Sequence, residues 1–308
     1  MKTKKVEILM ATYNGEQYLK EQLDSILNQD YDNWILRVCD DASTDGTFRL
    51  LTEYQEQYPD KIILMKNQER FGSAKKNFMH LIQNSTCDYV MCCDQDDVWL
   101  SNKIRVTLEA MKKNERDELP VLIHTDLKVV DSKLNVLSES FFQHSNFRKE
   151  FQLNEILIQN FVTGCTIMIN RLMVELMSRL EDCNRILMHD WVASVLATAV
   201  GKVVFVDMPT MLYRQHAINS VGAKKYGFAL FVSKIREAKM KKSIIDTMVQ
   251  AGEIAKLYED ILDKEKYQFI HQYATLLKKN KLQRLAFYIK YKVFKKGLPR
   301  KVCQLIVG

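Results

Sequence analysis

The sequence is short of glycine and shorter still of proline, with ten Gly and four Pro in 308 residues. Repeats and low-complexity tracts are absent, which excludes a solenoid or a tract-rich chain. No apolar run is long enough to span a bilayer; the longest is Trp191 to Val200. No basic-then-apolar leader opens the chain, because Met1 to Lys5 is charged and Val6 to Ala11 is only one strand long. The seven cysteines are odd in number and none forms a C-x-x-C pair. Cys39, Cys92, Cys93 and Cys165 lie in strand-like apolar runs and read as small buried hydrophobes in a reducing, cytoplasmic compartment. After Glu265 there is no acidic residue at all.

What is present is ordinary for a globular protein: 47% hydrophobic and 27% charged residues, enough to bury a sizeable core in one large or two smaller domains. The net charge of +7 is unevenly spread. Residues 1–222 carry 25 basic against 31 acidic side chains, and residues 223–308 carry 20 against 7. A basic tail on an acidic body points to a polyanionic partner, nucleic acid or anionic lipid.

The first half alternates strand and helix patterns. Strands are expected at Val6 to Ala11, Trp34 to Cys39, Lys61 to Met65 and Asp88 to Cys93, with helices at Gly15 to Asn28, Thr47 to Tyr58 and Ser73 to Gln83. Such βαβ units imply a mostly parallel sheet, whose ligands bind beyond the carboxyl ends of the strands. The middle is less regular. It reads as strands at 121–126, 128–130, 163–169, 203–206 and 211–214, and helices at 151–159, 171–180 and 189–200. From Lys224 the pattern is helical.

Asp94-Gln95-Asp96-Asp97 follows the fourth strand directly. Crowded carboxylates repel each other, and a hard divalent cation relieves that repulsion, with phosphate oxygens as its usual further ligands. A solvated turn in which Asp caps a helix starting near Leu100 accounts for the cluster equally well. Two other strand ends carry Thr12-Tyr13-Asn14 and Asp40-Asp41, a convergence that solvation does not explain.

Five segments in order resemble the family 2 inverting glycosyltransferases of the GT-A fold: Ala11-Thr12-Tyr13-Asn14-Gly15, Asp40 to Gly46, Gly72 to Asn77, Asp94 to Asp97, and His189-Asp190-Trp191. The resemblance runs from Ile8 to about Ser220. Asp94 to Trp99, with Tyr213-Arg214-Gln215-His216 downstream, is most similar to the bacterial rhamnosyltransferase branch. The resemblance implies a GT-A catalytic domain over 1–222 with a mostly parallel sheet flanked by helices; charge and helical pattern set off a basic helical region over 223–308.

It also implies roles. A nucleoside diphosphate sugar, dTDP-rhamnose in the favoured branch, would lie against Ala11, with Tyr13 stacking on its base and Asp41 accepting from the ring N–H. Gln95 belongs to the same nucleotide-binding set. Arg70 or Lys76 would meet the diphosphate, and Asp94 the ribose or the metal side. Asp96 and His216 would ligate Mn2+ or Mg2+, while Asp97 is expected to cap the next helix and Asp40 to brace its loop. Asp190 would be the general base, with Thr163, Gly164 and Trp191 on the acceptor side. His124 and Asp126 would end a strand near the donor sugar. For each there is a plainer alternative: core packing for Tyr13 and Trp191, a solvated charge for Arg70, Lys76 and His216, an N-terminal helix carboxylate for Asp190. A helix start lowers the Asp190 pKa and apolar neighbours raise it, and the sequence leaves the balance open.

In the tail, Leu282, Leu285, Ala286, Ile289 and Val293 share a helical face. Lys281, Arg284, Lys292 and Lys295 lie largely opposite, and Phe287, Tyr288, Tyr291 and Phe294 flank them. That fits an in-plane helix over 280–301 on an anionic membrane surface. It equally fits a helical bundle on the catalytic domain, or a homo-oligomer interface. Nucleic acid is the poorer partner, because the acidic half would repel it. The reading at this stage is a cytoplasmic enzyme, peripheral on the inner face of the plasma membrane, moving rhamnose to a lipid-linked saccharide of cell-wall or capsule polysaccharide. Its competitors are a UDP-hexose transferase, a non-catalytic nucleotide-sugar-binding scaffold and a metal-dependent phosphohydrolase.

Overall fold

A computed structural model describes residues 4–65, 70–216 and 234–307. The expected domain boundary at 222/223 and the end of the family resemblance near Ser220 lie outside them.

The first half folds as expected, in strand–helix alternation. β1 (Val6–Thr12), β2 (Trp34–Asp40), β3 (Ile62–Met65) and β4 (Tyr89–Cys93) are joined by α1 (Glu16–Leu27), α2 (Thr47–Gln57) and α3 (Ala74–Gln83). They pair in parallel in the order β3-β2-β1-β4. The period of two is visible in β1, where Val6, Ile8 and Met10 enter one core and Leu9 the other. Both faces of the sheet are therefore covered, which is why these strands read as continuous apolar runs.

Beyond β4 the sheet becomes mixed. β5 (Val98–Trp99), β6 (Val121–Val130), β7 (Val136–Ser138), β8 (Ile167–Asn170) and β9 (Lys202–Arg214) extend it as β4-β8-β6-β9-β5, with β7 paired to β6. β8 is antiparallel to both neighbours, while β6 and β9 run parallel. The strands expected separately at 121–126 and 128–130, and at 203–206 and 211–214, are one strand each. Their register shifts near Asp126, opposite Pro209, where the missing N–H breaks the ladder.

α4 (Lys103–Asn114), α5 (Phe141–His144), α6 (Leu153–Ile156), α7 (Arg171–Ser178) and α8 (His189–Val200) complete the body. α8 stops at Gly201, where an added Cβ would stand 2.1 Å from the Pro120 carbonyl oxygen.

The tail holds α9 (Lys234–Leu257), α10 (Lys264–Ala274), α11 (Lys281–Tyr291) and α12 (Leu298–Val307). Ile244, Met248, Tyr258, Tyr273 and Tyr288 join the same core as α3, α7 and α8. The single amphipathic helix expected over 280–301 is two helices, because Lys292 turns left-handed at φ 53° and closes α11. The expected apolar face splits as well. Val293 is buried, Leu282 and Ile289 face solvent, and the flanking Phe287 and Tyr288 anchor α11 to the core. Among the described residues, no helix is long and apolar enough to cross a membrane.

Candidate active site

The ends of β1, β2 and β4 meet, and each brings a loop held by its own polar side chains. Asp40 closes the β2 loop: it accepts from Thr12 Oγ1 at 2.8 Å, Ser43 N at 2.9 Å and Ser43 Oγ at 2.6 Å. Its bracing role is the expected one. Asp41 is buried, and its two oxygens accept from the backbone N–H groups of Phe71 (2.5 Å) and Gly72 (2.9 Å). In this state it clamps the 70–72 turn. The clamp sets the Arg70 guanidinium 4.2 Å above the Tyr13 ring, so two residues 57 positions apart in sequence form one cation–π pair. Tyr13 is 40% exposed, which leaves ring surface open at the strand end and removes the core-packing alternative.

Gln95 is a bracket. It accepts from Tyr13 N at 2.8 Å and donates to Tyr13 O at 3.0 Å, fixing the β1 loop to the acidic loop. A Cβ at Gly15 would lie 2.4 Å from Gln95 Oε1, so a side chain there would push this bracket aside. Ala11 is half-buried in β1, against the core. Lys76 stands half-buried on α3, and among the described residues no hydrogen bond ties it to the acidic loop. Its neighbour Lys75 instead donates to Ile186 O at 2.6 Å.

Asp96 and His216 come together as expected across 120 residues: His216 Nε2 lies 2.7 Å from Asp96 Oδ2. Adjacent ligands of an octahedral Mg2+-sized ion at about 2.1 Å stand roughly 3 Å apart, so the pair fits a small divalent cation with little movement. Carboxylate plus imidazole suits manganese, and magnesium tolerates it. Asp94, Asp97 and Cys165 gather beside this pair, with ligand atoms within 4.8 Å of one another. Burial, with Asp96 and Asp190 nearby, pushes the Asp94 carboxyl up to about 7. Asp97 is raised well above its ordinary value by burial first, then by Asp96 and Asp94. Raised carboxyls crowded at one strand end are what a bound cation would relieve.

Asp97 does not cap a helix. The chain enters β5 at Val98, and α4 begins only at Lys103, behind Asn102. The buried Asp97 carboxylate accepts from Arg214 N at 3.0 Å. Arg214 itself is fully buried. Its Nε donates to Asp96 O at 2.9 Å, one Nη to Ser132 O at 2.7 Å, and the other to the Glu21 carboxylate. Its guanidinium lies 4.4 Å over the Tyr18 ring, and the same ring meets His216 at 4.9 Å. Arg214 thus ties both expected metal ligands to α1. Beneath them Lys103 is buried, its ammonium pushed down to about 8 by burial and donating to Thr210 Oγ1 at 3.2 Å. Sequence reasoning assigned no role to Arg214, Cys165 or Lys103. The available signal was a lone cation inside an otherwise apolar pattern.

Asp190 opens α8 on the other side of the cleft. Its Oδ1 accepts from Trp191 N at 2.7 Å, and the Asn160 side chain and Gly164 backbone also bond to the carboxylate. Burial outweighs these bonds and raises the carboxyl to about 6, which settles the balance that the sequence left open. Gly164 packs against this turn, where a Cβ would meet His189 Nε2 at 2.8 Å. Thr163 and Gly164 are therefore brought to Asp190. Trp191 is half-buried and its Nε1 donates to Ile156 O at 2.6 Å, an anchored packing position. His124 and Asp126 are removed from the cleft. His124 is enclosed by Phe142, Phe151 and Phe205, and Asp126 accepts from Phe141 N and Phe142 N at the start of α5.

Residues 7–176, more than half of the chain, match the family model for glycosyl transferase family 2. The dTDP-rhamnosyl transferase RfbG of Shigella flexneri is 29% identical over 272 residues, covering 80% of this chain and 90% of its own length. Among solved structures, S. aureus TarS residues 1–349 superpose with a TM-score of 0.57 at 14% identity, covering 90% of this chain and 92% of that one. The mannosyltransferase PcManGT of Pyrobaculum calidifontis, in complex with GDP-Man and Mn2+, gives 0.53 at 16% identity, covering 98% and 83%. The sheet order, the acidic strand end and these likenesses agree: the chain belongs to glycosyl transferase family 2 and has the GT-A fold.

Proposed function

We propose that the chain transfers L-rhamnose from dTDP-β-L-rhamnose, with inversion, to a lipid-linked saccharide in cell-wall or capsule polysaccharide synthesis. The observation that carries the donor is the similarity to the dTDP-rhamnosyl transferase RfbG across 80% of the chain. Tyr13 offers its exposed face to the base, Arg70 its charge to the diphosphate, and Asp94 its carboxyl to the ribose. Asp96 and His216 hold Mn2+ or Mg2+, which when bound neutralises charge on the departing diphosphate. Asp190 takes the proton of the acceptor hydroxyl as that oxygen bonds to the anomeric carbon. The bond from that carbon to the diphosphate breaks in the same step, and its electron pair leaves with dTDP. A carboxyl poised at about 6 is ionised at neutral pH yet basic enough to accept that proton. The basic helical region 223–308 would keep the enzyme peripheral on the inner face of the plasma membrane, beside such an acceptor.

The test offers dTDP-rhamnose and UDP-glucose, UDP-galactose and UDP-GlcNAc in turn. Each is paired with a lipid-linked GlcNAc or rhamnose acceptor, with and without Mn2+ or Mg2+. Transfer from dTDP-rhamnose alone is expected. Transfer only from a UDP-sugar overturns the donor. Donor hydrolysis at the same rate without acceptor makes the chain a phosphohydrolase.

A further inference from the structure

The two last helices expose apolar side chains that no described part of the fold covers. The C-terminal end of α12 is tied back to α11 and to the connector between them. Lys281 Nζ donates to Ile306 O at 2.9 Å. Gln304 accepts from Lys295 N at 2.8 Å and donates to Val293 O at 2.9 Å. Phe287 and Tyr288 turn one side of α11 into the core. On its open side Leu282 is 78% and Ile289 65% exposed, seven residues apart and so on one helical face. On α12, Leu298 is 74% exposed, and Val302 and Ile306 follow at intervals of four. Monomeric soluble proteins scatter exposed aliphatics singly; an exposed stripe on each of two consecutive helices marks a surface that becomes covered.

The charge around the stripes identifies what covers them. Lys290 and Lys301 are exposed beside them, and no carboxylate side chain follows Glu265. A second copy docked face to face would press a mostly basic surface against itself. Nucleic acid would meet the lysines but has no use for the aliphatic stripes. An anionic bilayer satisfies both, with acyl chains for the leucines and headgroup phosphates for the lysines.

The end of α11 and the connector that follows it also hold the 154–159 segment. Lys295 Nζ donates to Ile158 O at 2.9 Å, Lys296 N to Gln159 Oε1 at 2.9 Å, and Asn154 Nδ2 to Tyr291 O at 2.9 Å. The next residue, Asn160, bonds the Asp190 carboxylate. We infer that the exposed faces of α11 and α12 are a docking surface for an anionic phospholipid bilayer, which brings the segment beside Asp190 near the lipid. This deepens, and rests on, the reading of a lipid-linked acceptor.

The experiment uses the full chain with phosphatidylcholine vesicles, with and without phosphatidylglycerol, scored by co-sedimentation. Wild type is expected to bind only the anionic vesicles and to be released by salt. Leu282→Glu with Ile289→Glu should lower vesicle partitioning by about tenfold or more, from two lost apolar insertions. Lys290→Glu with Lys301→Glu should remove the preference for anionic lipid. Both pairs lie on the surface, so the thermal midpoint should hold. Transfer to a water-soluble acceptor should hold too, while transfer to a vesicle-borne acceptor falls. Equal binding to neutral vesicles, or unchanged binding by the Glu pair, overturns the proposal. So does a dimer in sedimentation velocity that the Glu pair dissociates. Vesicle binding needs neither donor nor acceptor, so it stands if the rhamnose reading fails. Conversely, rhamnosyl transfer to lipid acceptors that ignores both pairs sinks only the docking surface.

Discussion

Replacing Asp190 by Asn is expected to make the protein more stable and nearly inactive. The carboxyl titrates at about 6 in the fold against an ordinary 3.8. Between those values the unfolded chain has lost a proton that the folded chain keeps. Folding therefore takes up a proton, and stability falls as pH rises through that window. Above pH 6 the whole penalty is present; below 3.8 it is gone. A shift of about two units at 1.36 kcal/mol each is about 3 kcal/mol at pH 8. Asn carries no charge, but Trp191 N, Asn160 and Gly164 all donate toward this position, and the new amide N–H2 opposes one of them. That mismatch costs about 1 kcal/mol, leaving a gain of roughly 2 kcal/mol. The assay is urea denaturation in EDTA at pH 8 and again near pH 4, where the gain should vanish. Activity should fall by about 10² to 10⁴. Wild-type kcat/KM should drop tenfold per unit below about pH 6, a limb that the residual rate of the variant lacks. A variant that keeps this acid limb, or that is less stable than wild type at pH 8, refutes the assignment of Asp190 as a buried, working base.

Removing the distal imidazole by His216→Ala should weaken Mn2+ binding by about tenfold or more, roughly the worth of one good ligand contact, read by electron paramagnetic resonance titration with dTDP present. Arg214→Met strands the Asp96 and Ser132 carbonyls, so a stability loss of about 2–4 kcal/mol is expected with a parallel loss of Mn2+ affinity. A stability loss with normal Mn2+ affinity would show that Arg214 does not position the ligands. Gly201→Ala drives a Cβ to 2.1 Å from the Pro120 carbonyl and should cost about 1–3 kcal/mol by thermal denaturation, leaving the KM for donor unchanged. Gly164→Ala, whose Cβ would press on His189 at 2.8 Å, should lower kcat more than it lowers stability.

The first half was legible because its signals are local. An apolar run of strand length, a helix with one apolar face and a polar strand end each sit within a few residues, and β1 through β4 match expectation to within a residue or so. The second half depends on partners. Asp97 reads as a helix cap until β9 supplies the Arg214 N–H that it accepts, and Val98–Trp99 is too short for any period to reveal. The segment 163–169 reads as one strand because it is apolar, yet Gly164–Thr166 is a single 3-10 turn pressed against α8. Arg214 in a strand pattern looks like a solvated edge charge, and only Glu21, Tyr18 and the Asp96 carbonyl give it a purpose. His124 looked like a site residue for the opposite reason: its place near the end of an expected strand suggested a cleft, and three phenylalanines close over it.

The meeting of Asp96 and His216 spans 120 residues, and that distance orders events in time. During synthesis the chain emerges N-terminus first, and β1 to β4 pair locally, so the loops at their carboxyl ends can form early. The distal ligand arrives only at residue 216, carried by a strand that must first find β6. In an unfinished chain the strand-end loops can therefore be in place while Asp96 still lacks its His216 partner.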